Sequence, residues 1–135
     1  MFKSDGCHGK SIKIVDYDGK TVYEGSMIEG IKEGFGKEFH NNGRLWYEGD
    51  FKNDQPHGKS VRIFNKESKV EYEGAMVEGK KDGMGKEFYD NGKVLFDGGY
   101  KKDKKHCKIG ILYDKNAKVM FKGEFIMGER GQKLI

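Results

Sequence analysis

Residues 37–51 read KEFHNNGRLWYEGDF. The Asn-Gly pair at positions 42–43 predicts a tight turn, because these residues accept the positive φ angles that short hairpin loops require. In the strand after the turn, side chains alternate between the two faces of a sheet, so Tyr47, Gly49 and Phe51 share one face. The stretch therefore predicts a β-hairpin with one apolar face and one largely polar face.

The end of this stretch recurs along the chain with a period of 24 or 25 residues. A tripeptide of a ring, a variable residue and a glycine returns as Tyr23-Glu24-Gly25, Tyr47-Glu48-Gly49, Tyr72-Glu73-Gly74, Phe96-Asp97-Gly98 and Phe121-Lys122-Gly123. Two further columns keep the same period, and their members are Met27, Phe51, Met76, Tyr100 and Phe125, then Val15, Phe39, Phe64, Phe88 and Tyr113. A fixed period is typical of arrays in which each unit packs on its neighbours. The prediction is one domain made of half unit 5–22, units 23–46, 47–71, 72–95 and 96–120, and half unit 121–135.

Residues 23–46 closely match residues 72–95, which indicates that a block two hairpins long has been duplicated. Within each unit, the glycine that lies between two aromatic positions predicts a close approach of a ring or backbone, so a larger residue should clash there. A second turn is expected at Gly30, Asp54, Gly79, Asp103 and Gly128, followed shortly by Gly34, Gly58 and Gly83. Gly and Asp suit the left-handed backbone angles of turns.

The composition is poor in aliphatic side chains and rich in glycine and rings. Of 135 residues, 21 are Gly and one is Pro, while 36% are charged and 13% are aromatic. Aromatic side chains must therefore supply most of the buried surface. Together with the repeats, this predicts an all-β fold, an elongated single-layer antiparallel meander of tandem β-hairpins. At about 4.8 Å per strand the ribbon should be roughly 40 to 45 Å long.

No segment has the apolar run of a signal peptide, or the roughly 18 apolar residues of a membrane span. Cys7 and Cys107 are too few for a disulfide scaffold, so both thiols are expected to be reduced. These observations predict a cytoplasmic protein.

Residues 47–53 read YEGDFKN and residues 57–59 read HGK. This pattern resembles the MORN repeat, whose units share a Tyr-Glu-Gly, an aromatic residue two positions on, and a His-Gly-Lys-Gly-like turn. An Asn-Gly pair followed by Arg or Lys ahead of the Tyr-Glu-Gly is similar to the variant also seen in bacterial proteins. The resemblance extends from residue 5 to residue 131.

The resemblance implies a non-catalytic repeat protein. Proteins with MORN repeats are known as cytoskeletal and ciliary scaffolds, membrane-contact proteins and regulatory appendages of lipid kinases or methyltransferases. Cys107 departs from the pattern, since related units have Gly9 and Gly58 there, and Phe96 and Phe121 replace the tyrosine. These departures predict a looser or altered turn in the fourth unit.

The apolar face is the first candidate interaction surface. Rows of Tyr, Phe and Met on a single-layer sheet would contact water unless they stack on each other or a partner covers them. A groove of this kind suits an amphipathic helix or an extended peptide. The predicted groove residues are Tyr23, Met27, Tyr47, Phe51, Tyr72, Met76, Phe96, Tyr100, Phe121 and Phe125. Of these, Tyr23, Tyr47, Tyr72 and Phe96 are expected to form the core, and Met27, Phe51, Met76 and Tyr100 the groove surface.

A lysine cluster is the second candidate surface. The formal net charge is +4, and all of the excess lies in the second half of the chain. The densest segment could attract the phosphate groups of acidic lipids through Lys101, Lys102, Lys104, Lys105 and Lys108. A solvated lysine-rich turn explains the same residues, and no nucleic-acid partner is expected.

Residues with catalytic or ligand-binding chemistry do not assemble into a site. The column His8, Glu33, His57, Asp82 and His106 suggests metal ligands, but neighbouring units lie about 9 to 10 Å apart while ligands sit about 2 Å from a shared ion. A structural role at the turn is favoured. Gly58-Lys59-Ser60 and Gly9-Lys10-Ser11 lack the earlier glycine of a phosphate-binding loop. No metal, no cofactor and no catalytic residue is predicted, since neither cysteine has a neighbouring general base.

The sequence thus favours a scaffold that binds a helix or peptide of a partner protein, within a cytoskeletal or ciliary assembly. The alternative is a peripheral membrane module that binds acidic phospholipids. Self-association is a further expectation, because the backbone edges of the terminal strands are free to pair.

Overall fold

A computed structural model of the chain describes residues 9–134, with side chains from Ile12 onwards, and all regular structure in this range is β-strand. No helix in the described range is long and apolar enough to cross a bilayer. The thirteen strands are β1 (Gly9–Val15), β2 (Thr21–Ile28), β3 (Ile31–Phe39), β4 (Leu45–Lys52), β5 (Gln55–Pro56), β6 (Gly58–Phe64), β7 (Val70–Val77), β8 (Lys80–Phe88), β9 (Val94–Lys101), β10 (Lys104–Lys105), β11 (Cys107–Tyr113), β12 (Val119–Ile126) and β13 (Glu129–Lys133).

The strands form one antiparallel sheet in which each long strand pairs with its neighbours in sequence. The order is β1-β2-β3-β4-β6-β7-β8-β9-β11-β12-β13, while β5 pairs with β4 and β10 pairs with β9. Long strands β3 and β8 alternate with the interrupted strands β5/β6 and β10/β11, which is the duplication read from the sequence. The predicted all-β meander of tandem hairpins is confirmed; the unit boundaries stay a prediction.

One kind of turn contains the Asn-Gly pairs. His40 N–H donates to Arg44 O at 2.8 Å, and Gly43 N–H donates to His40 O at 2.9 Å. Gly43 has φ +87°, whereas Asn42 keeps an ordinary φ, so the loop is a three-residue turn with only its last residue left-handed. The same place is held by Gly19, Ser68, Gly92 and Ala117, all with positive φ.

The other kind of turn has two central residues, both left-handed, as in a type I′ turn. All five positions predicted for this turn have positive φ. The residue before each of them is left-handed too, which the sequence did not indicate because most of these residues are Glu, Lys or Met. The pairs are Glu29-Gly30, Asn53-Asp54, Glu78-Gly79, Lys102-Asp103 and Met127-Gly128.

One face of the sheet carries the core. Its buried apolar residues are between 0% and 7% exposed, and they are Tyr23, Met27, Tyr47, Phe51, Val61, Tyr72, Met76, Phe96, Tyr100, Phe121 and Phe125. The predicted close approach at the repeat glycines is confirmed. A Cβ on Gly49 would lie 2.7 Å from Val61 Cγ1 and 2.9 Å from the Tyr47 hydroxyl. All ten predicted groove residues therefore belong to the core.

The prediction that Met27, Phe51, Met76 and Tyr100 form an exposed groove surface is wrong. These side chains are 3% to 5% exposed. For Phe51 and Tyr100 the reason is that each ring inserts between the inner rings of two consecutive units. Phe51 packs edge-on against Tyr23 at 5.3 Å and against Tyr47 at 4.9 Å between ring centroids. A sequence column shows that such residues share a face, but not that they fill the space between neighbouring rings.

The opposite face carries a row of alternating charges that runs across the sheet. Directly paired residues have opposite sign at every step from β1 to β9, which stabilises this register. We call this row the charge ladder, and it consists of Lys13, Glu24, Lys37, Glu48, Arg62, Glu73, Lys86 and Asp97. After Asp97 the next residues in the row are Ile111 and Lys122.

The fourth unit does not have the predicted altered turn. Lys102 and Asp103 have φ +49° and +73°, close to +52° and +71° at Asn53 and Asp54. Cys107 is accommodated by a change on the neighbouring strand, since a Cβ on Gly99 would lie 3.0 Å from Cys107 Cβ. In the third unit the glycine is on the other strand, because a Cβ on Gly83 would lie 2.9 Å from Ala75 Cβ. In each of the two units, one of these two facing positions is therefore a glycine, and the other has a side chain.

Candidate functional site

The site is built on rings that lie flat on glycines. The Tyr23 hydroxyl donates to Ser26 O at 2.7 Å, so the ring crosses its own strand. A Cβ on Gly36 would lie 2.6 Å from Tyr23 Cε1, which explains the glycine under the ring. Tyr47 and Tyr72 bind the carbonyls of Asp50 and Ala75 at the same distance. Phe96 and Phe121 lack the hydroxyl and cannot make this bond.

Burial raises the pKa values of the tyrosine hydroxyls in this column. It raises the pKa of Tyr23 from 10.0 to about 12, and the carboxylates of Glu38 and Asp54 add to the increase. Burial also raises the pKa of Tyr47 and Tyr72. All three tyrosines therefore act as neutral hydrogen-bond donors.

Cations cover the rings from the solvent side. Nine residues after each ring the chain has Lys32, Pro56, Lys81, Lys105 and Arg130. The ammonium group of Lys32 lies 4.9 Å from the Tyr23 centroid, and the corresponding distances are 5.0 Å for Lys81 over Tyr72, 5.1 Å for Lys105 over Phe96 and 5.1 Å for Arg130 over Phe121. Such contacts contribute about 0.5 to 1 kcal/mol each at exposed sites. Sequence reasoning missed this column, although its offset from the rings is constant.

Two carboxylates bind the covering cations. Lys32 Nζ lies 2.6 Å from Glu38. Glu87 accepts a hydrogen bond from the Tyr100 hydroxyl at 2.6 Å and lies 3.6 Å from Lys81 and 3.1 Å from Lys105. Burial raises the pKa of Glu87, but the bond from Tyr100 and the two ammonium groups outweigh it, so the net pKa is lowered. Burial and the bond to Glu87 raise the pKa of Tyr100.

The surface above the core is therefore a mixed strip and not an open aromatic groove. We call it the cover strip, and it consists of Lys32, Glu38, Pro56, Ile63, Lys81, Glu87, Lys105, Leu112 and Arg130. The ion-pair side chains in it are 22% to 26% exposed, and Ile63 and Leu112 are half-buried against the core. A cleft of about 310 Å³ lies at its centre, lined by Ile63, Glu71, Tyr72, Lys81, Glu87 and Phe88. Whether a partner binds above the ten predicted groove residues stays a prediction.

Residues of the column that was considered as a metal site, and rejected, accept hydrogen bonds from the two-residue turns of the next unit. Glu33 accepts the N–H of Asn53, Asp82 accepts that of Lys102, and His106 Nδ1 accepts that of Met127 at 3.1 Å. The favoured structural role at the turn is confirmed for these three residues. His57 Nδ1 is buried with no hydrogen-bond partner among the described residues. His8 lies outside the described residues.

The predicted lipid-binding lysines are not equivalent. Lys101, Lys102, Lys104 and Lys108 are exposed, and the first three surround a single two-residue turn. Lys105 instead binds Glu87 and lies over Phe96. The structure therefore leaves four of the five free to meet an acidic surface.

Of the remaining sequence candidates, those in the described part of the chain lie in β-strands. Gly58-Lys59-Ser60 begins strand β6 and does not form a loop around a phosphate. The space around the Cys107 sulfur is set by Gly98 and Gly110, whose added Cβ atoms would lie 3.1 and 3.0 Å from it. Cys7 lies outside the described residues. Within those residues, no three His, Cys, Asp or Glu side chains are arranged to hold a metal ion.

Comparison with protein families gives three consecutive matches. The model of the MORN repeat matches residues 23–44, 47–67 and 72–94. The matches begin at the three tyrosines whose hydroxyls bind their own strands. No curated protein sequence matches the chain. MORN repeats are commonly protein- or membrane-interaction modules, and the family is generally non-catalytic.

Proposed function

Because this chain is a MORN-repeat protein, we propose that it is a non-catalytic scaffold whose cover strip docks a helix or an extended peptide of a partner protein. The observation that supports this is the composition of the strip. From one unit to the next, Lys–Glu ion pairs alternate with the half-buried apolar residues Pro56, Ile63 and Leu112. A mixture of apolar residues and organised polar groups is typical of non-obligate interfaces.

Pre-organisation supports the same proposal. The ammonium groups of Lys32 and Lys81 are held by carboxylates and rings at once. Less side-chain entropy is then lost when a partner covers them. The partner is proposed to belong to a cytoskeletal or ciliary assembly in the cytoplasm, which rests on the family resemblance alone.

The test uses substitutions that the fold already accepts. Ile63 and Leu112 occupy the column in which other units have Glu38 and Glu87. Leu112→Glu would lie near Lys105 and Arg130, as Glu87 lies near Lys81 and Lys105. The double variant Ile63→Glu/Leu112→Glu should therefore fold, as checked by thermal unfolding, while changing the apolar part of the strip.

Affinity capture from lysate of the source cells, followed by binding of the purified partner, compares this variant with the wild type and with Lys101→Glu/Lys102→Glu/Lys104→Glu. We expect the strip variant alone to lose its partner, with weak dependence on salt. A partner retained by the strip variant would rule out the strip as the docking surface.

The alternative proposal is a peripheral membrane module. It is favoured by the three exposed lysines around the turn at 102–103. Flotation of the same proteins with acidic phospholipid vesicles tests it. Flotation that is lost with the lysine variant and weakened by salt would support the membrane module, because screening weakens exposed charge interactions.

A further inference from the structure

The face opposite the cover strip is apolar in one unit and polar in the corresponding unit of the duplicated block. In the fourth unit it carries Ile109, which is 54% exposed, and Ile111. The residues 49 positions earlier are Ser60 and Arg62. Met120 on the neighbouring strand β12 is also 54% exposed.

These apolar side chains are not needed to build the strands. Strand β6 pairs with β7 through the same register and the same irregularities as β11 with β12, although it carries Ser60 and Arg62. Ile109 and Met120 are exposed and Ile111 between them is half-buried. Exposed apolar side chains that folding does not require indicate an interaction surface.

The charge around this patch has a symmetry that occurs nowhere else in the charge ladder. Ile111 lies directly between Asp97 on β9 and Lys122 on β12. At the inner strands β3, β6 and β8, the residue in this row is a cation with carboxylates on both sides; Arg62, for example, lies between Glu48 and Glu73. Only at Ile111 is an apolar residue flanked by opposite charges.

We propose that a second copy of this chain stacks on this face, with a two-fold axis along β11. The axis places Ile111 on Ile111 and Ile109 on Ile109, and it brings Asp97 of each copy against Lys122 of the other. Sheets stack in this way with nearly aligned strands about 10 Å apart. An axis along β6 would instead place Arg62 on Arg62, so the ladder selects the fourth unit.

This surface differs from the cover strip and from the terminal strand edges. The cover strip is on the other face of the sheet, so the dimer leaves it free for a partner protein. Self-association through the edges of the terminal strands is a separate prediction that stays untested.

Sedimentation equilibrium of the full chain over a wide concentration range tests the proposal. The expected mass is twice 15.4 kDa. Ile111→Arg copies the residue of the related unit and should return the mass to that of one chain, because arginine would meet arginine at the axis. Ile109→Ser should have the same effect. Phe35→Ser, an exposed apolar residue of the same face on β3, should leave the dimer intact.

A charge exchange adds a second, independent readout. Asp97→Lys and Lys122→Asp should each weaken the dimer, and the double variant should restore it. A wild-type chain that stays at 15.4 kDa throughout, or a dimer that persists in both Ile111→Arg and Ile109→Ser, would overturn the proposal. Neither result bears on binding at the cover strip.

Discussion

At the scale of single residues, the ring-x-Gly motif places an aromatic ring flat on a sheet. The Tyr72 hydroxyl reaches Ala75 O at 2.7 Å because the ring lies over glycines, where no side chain is in the way. A Cβ on Gly85 would lie 2.6 Å from Tyr72 Cε1. The glycine leaves room for the ring and the hydroxyl fixes the ring on the strand, so the two residue types recur together.

Removal of the Tyr72 hydroxyl should lower the stability of the fold by a measurable amount. Tyr72→Phe should lower the free energy of unfolding by about 1 kcal/mol, the typical net value of an intramolecular hydrogen bond. Tyr17→Phe is the matched control, because Tyr17 is fully exposed and its hydroxyl has no bond within residues 9–134. Chemical denaturation measures both. Equal effects would show that the bond to Ala75 O contributes nothing.

The shifted Tyr23 hydroxyl makes stability depend on alkaline pH. Its pKa is about 12 in the folded state against 10.0 ordinarily. Because the folded-state pKa is raised, this contribution is complete below pH 10 and is lost as the pH rises towards 12. The difference in free energy of unfolding between the wild type and Tyr23→Phe should therefore shrink across this window. A constant difference would contradict the shift.

At the scale of elements, the two-residue turns are strained by their side chains. Glu29 and Glu78 both have φ +50°, a conformation that costs most L-residues about 1 to 2 kcal/mol. The following glycines, Gly30 and Gly79, carry no such cost. The turn geometry is retained because the flanking strands pair on both sides.

Asparagine tolerates left-handed angles, so it should relieve this strain. Glu29→Asn and Glu78→Asn are each expected to raise the free energy of unfolding by about 0.5 to 1 kcal/mol. Glu67→Asn is the control, since Glu67 is in a turn but has an ordinary φ. Thermal unfolding distinguishes them. A gain at Glu67 as large as at Glu29 would point to charge and not to backbone strain.

The glycine of this facing pair is on different strands in the third and fourth units, which predicts that Gly99 and Cys107 are energetically coupled. Gly99→Ala should lower the free energy of unfolding by about 1 to 3 kcal/mol, because its Cβ would lie 2.9 Å from His106 O and 3.0 Å from Cys107 Cβ. Adding Cys107→Gly recreates the Ala75–Gly83 arrangement and should recover part of the loss. A double-mutant cycle measures the coupling, with about 0.5 to 3 kcal/mol expected for residues in contact. Additive effects would show that the two positions are independent.

At the scale of the whole molecule, the charge ladder joins strands β1 to β9 into one register. Its signs alternate at every step, and the Arg62 guanidinium lies 2.9 Å from Glu73. A slip by one residue would turn every charged side chain towards the core face. The ladder therefore protects a repetitive sheet against pairing in the wrong register.

Reversal of one charge should disturb the ladder locally. Arg62→Glu would place three carboxylates in neighbouring positions with Glu48 and Glu73, and it should lower the free energy of unfolding by about 1 kcal/mol. Added salt should reduce the loss, because these side chains are largely exposed. Lys59→Glu, an exposed residue of the same strand outside the ladder, is the control. A loss that does not depend on salt would argue against an electrostatic origin.

Much of this molecule could be predicted from the periods in its sequence. The columns that begin at Tyr23 and Met27 identify the strands, the buried face and both turns. The burial of Phe51 could not be predicted, because it depends on rings of two units meeting in space. The cover by Lys32 was missed because a lysine usually indicates solvent, and its contact with Tyr23 depends on how the strands twist. Gly99 was missed because its partner is on another strand.

The meander has a kinetic consequence. Each long strand pairs only with strands next to it in the chain, and the bonds between turns join residues 20 to 24 positions apart. Chains whose contacts are local fold quickly, since little loop entropy is lost before contacts form. A hairpin emerging from a ribosome could therefore dock on the one before it without waiting for the end of the chain. Folding time should then depend on the slowest hairpin and only weakly on the number of units.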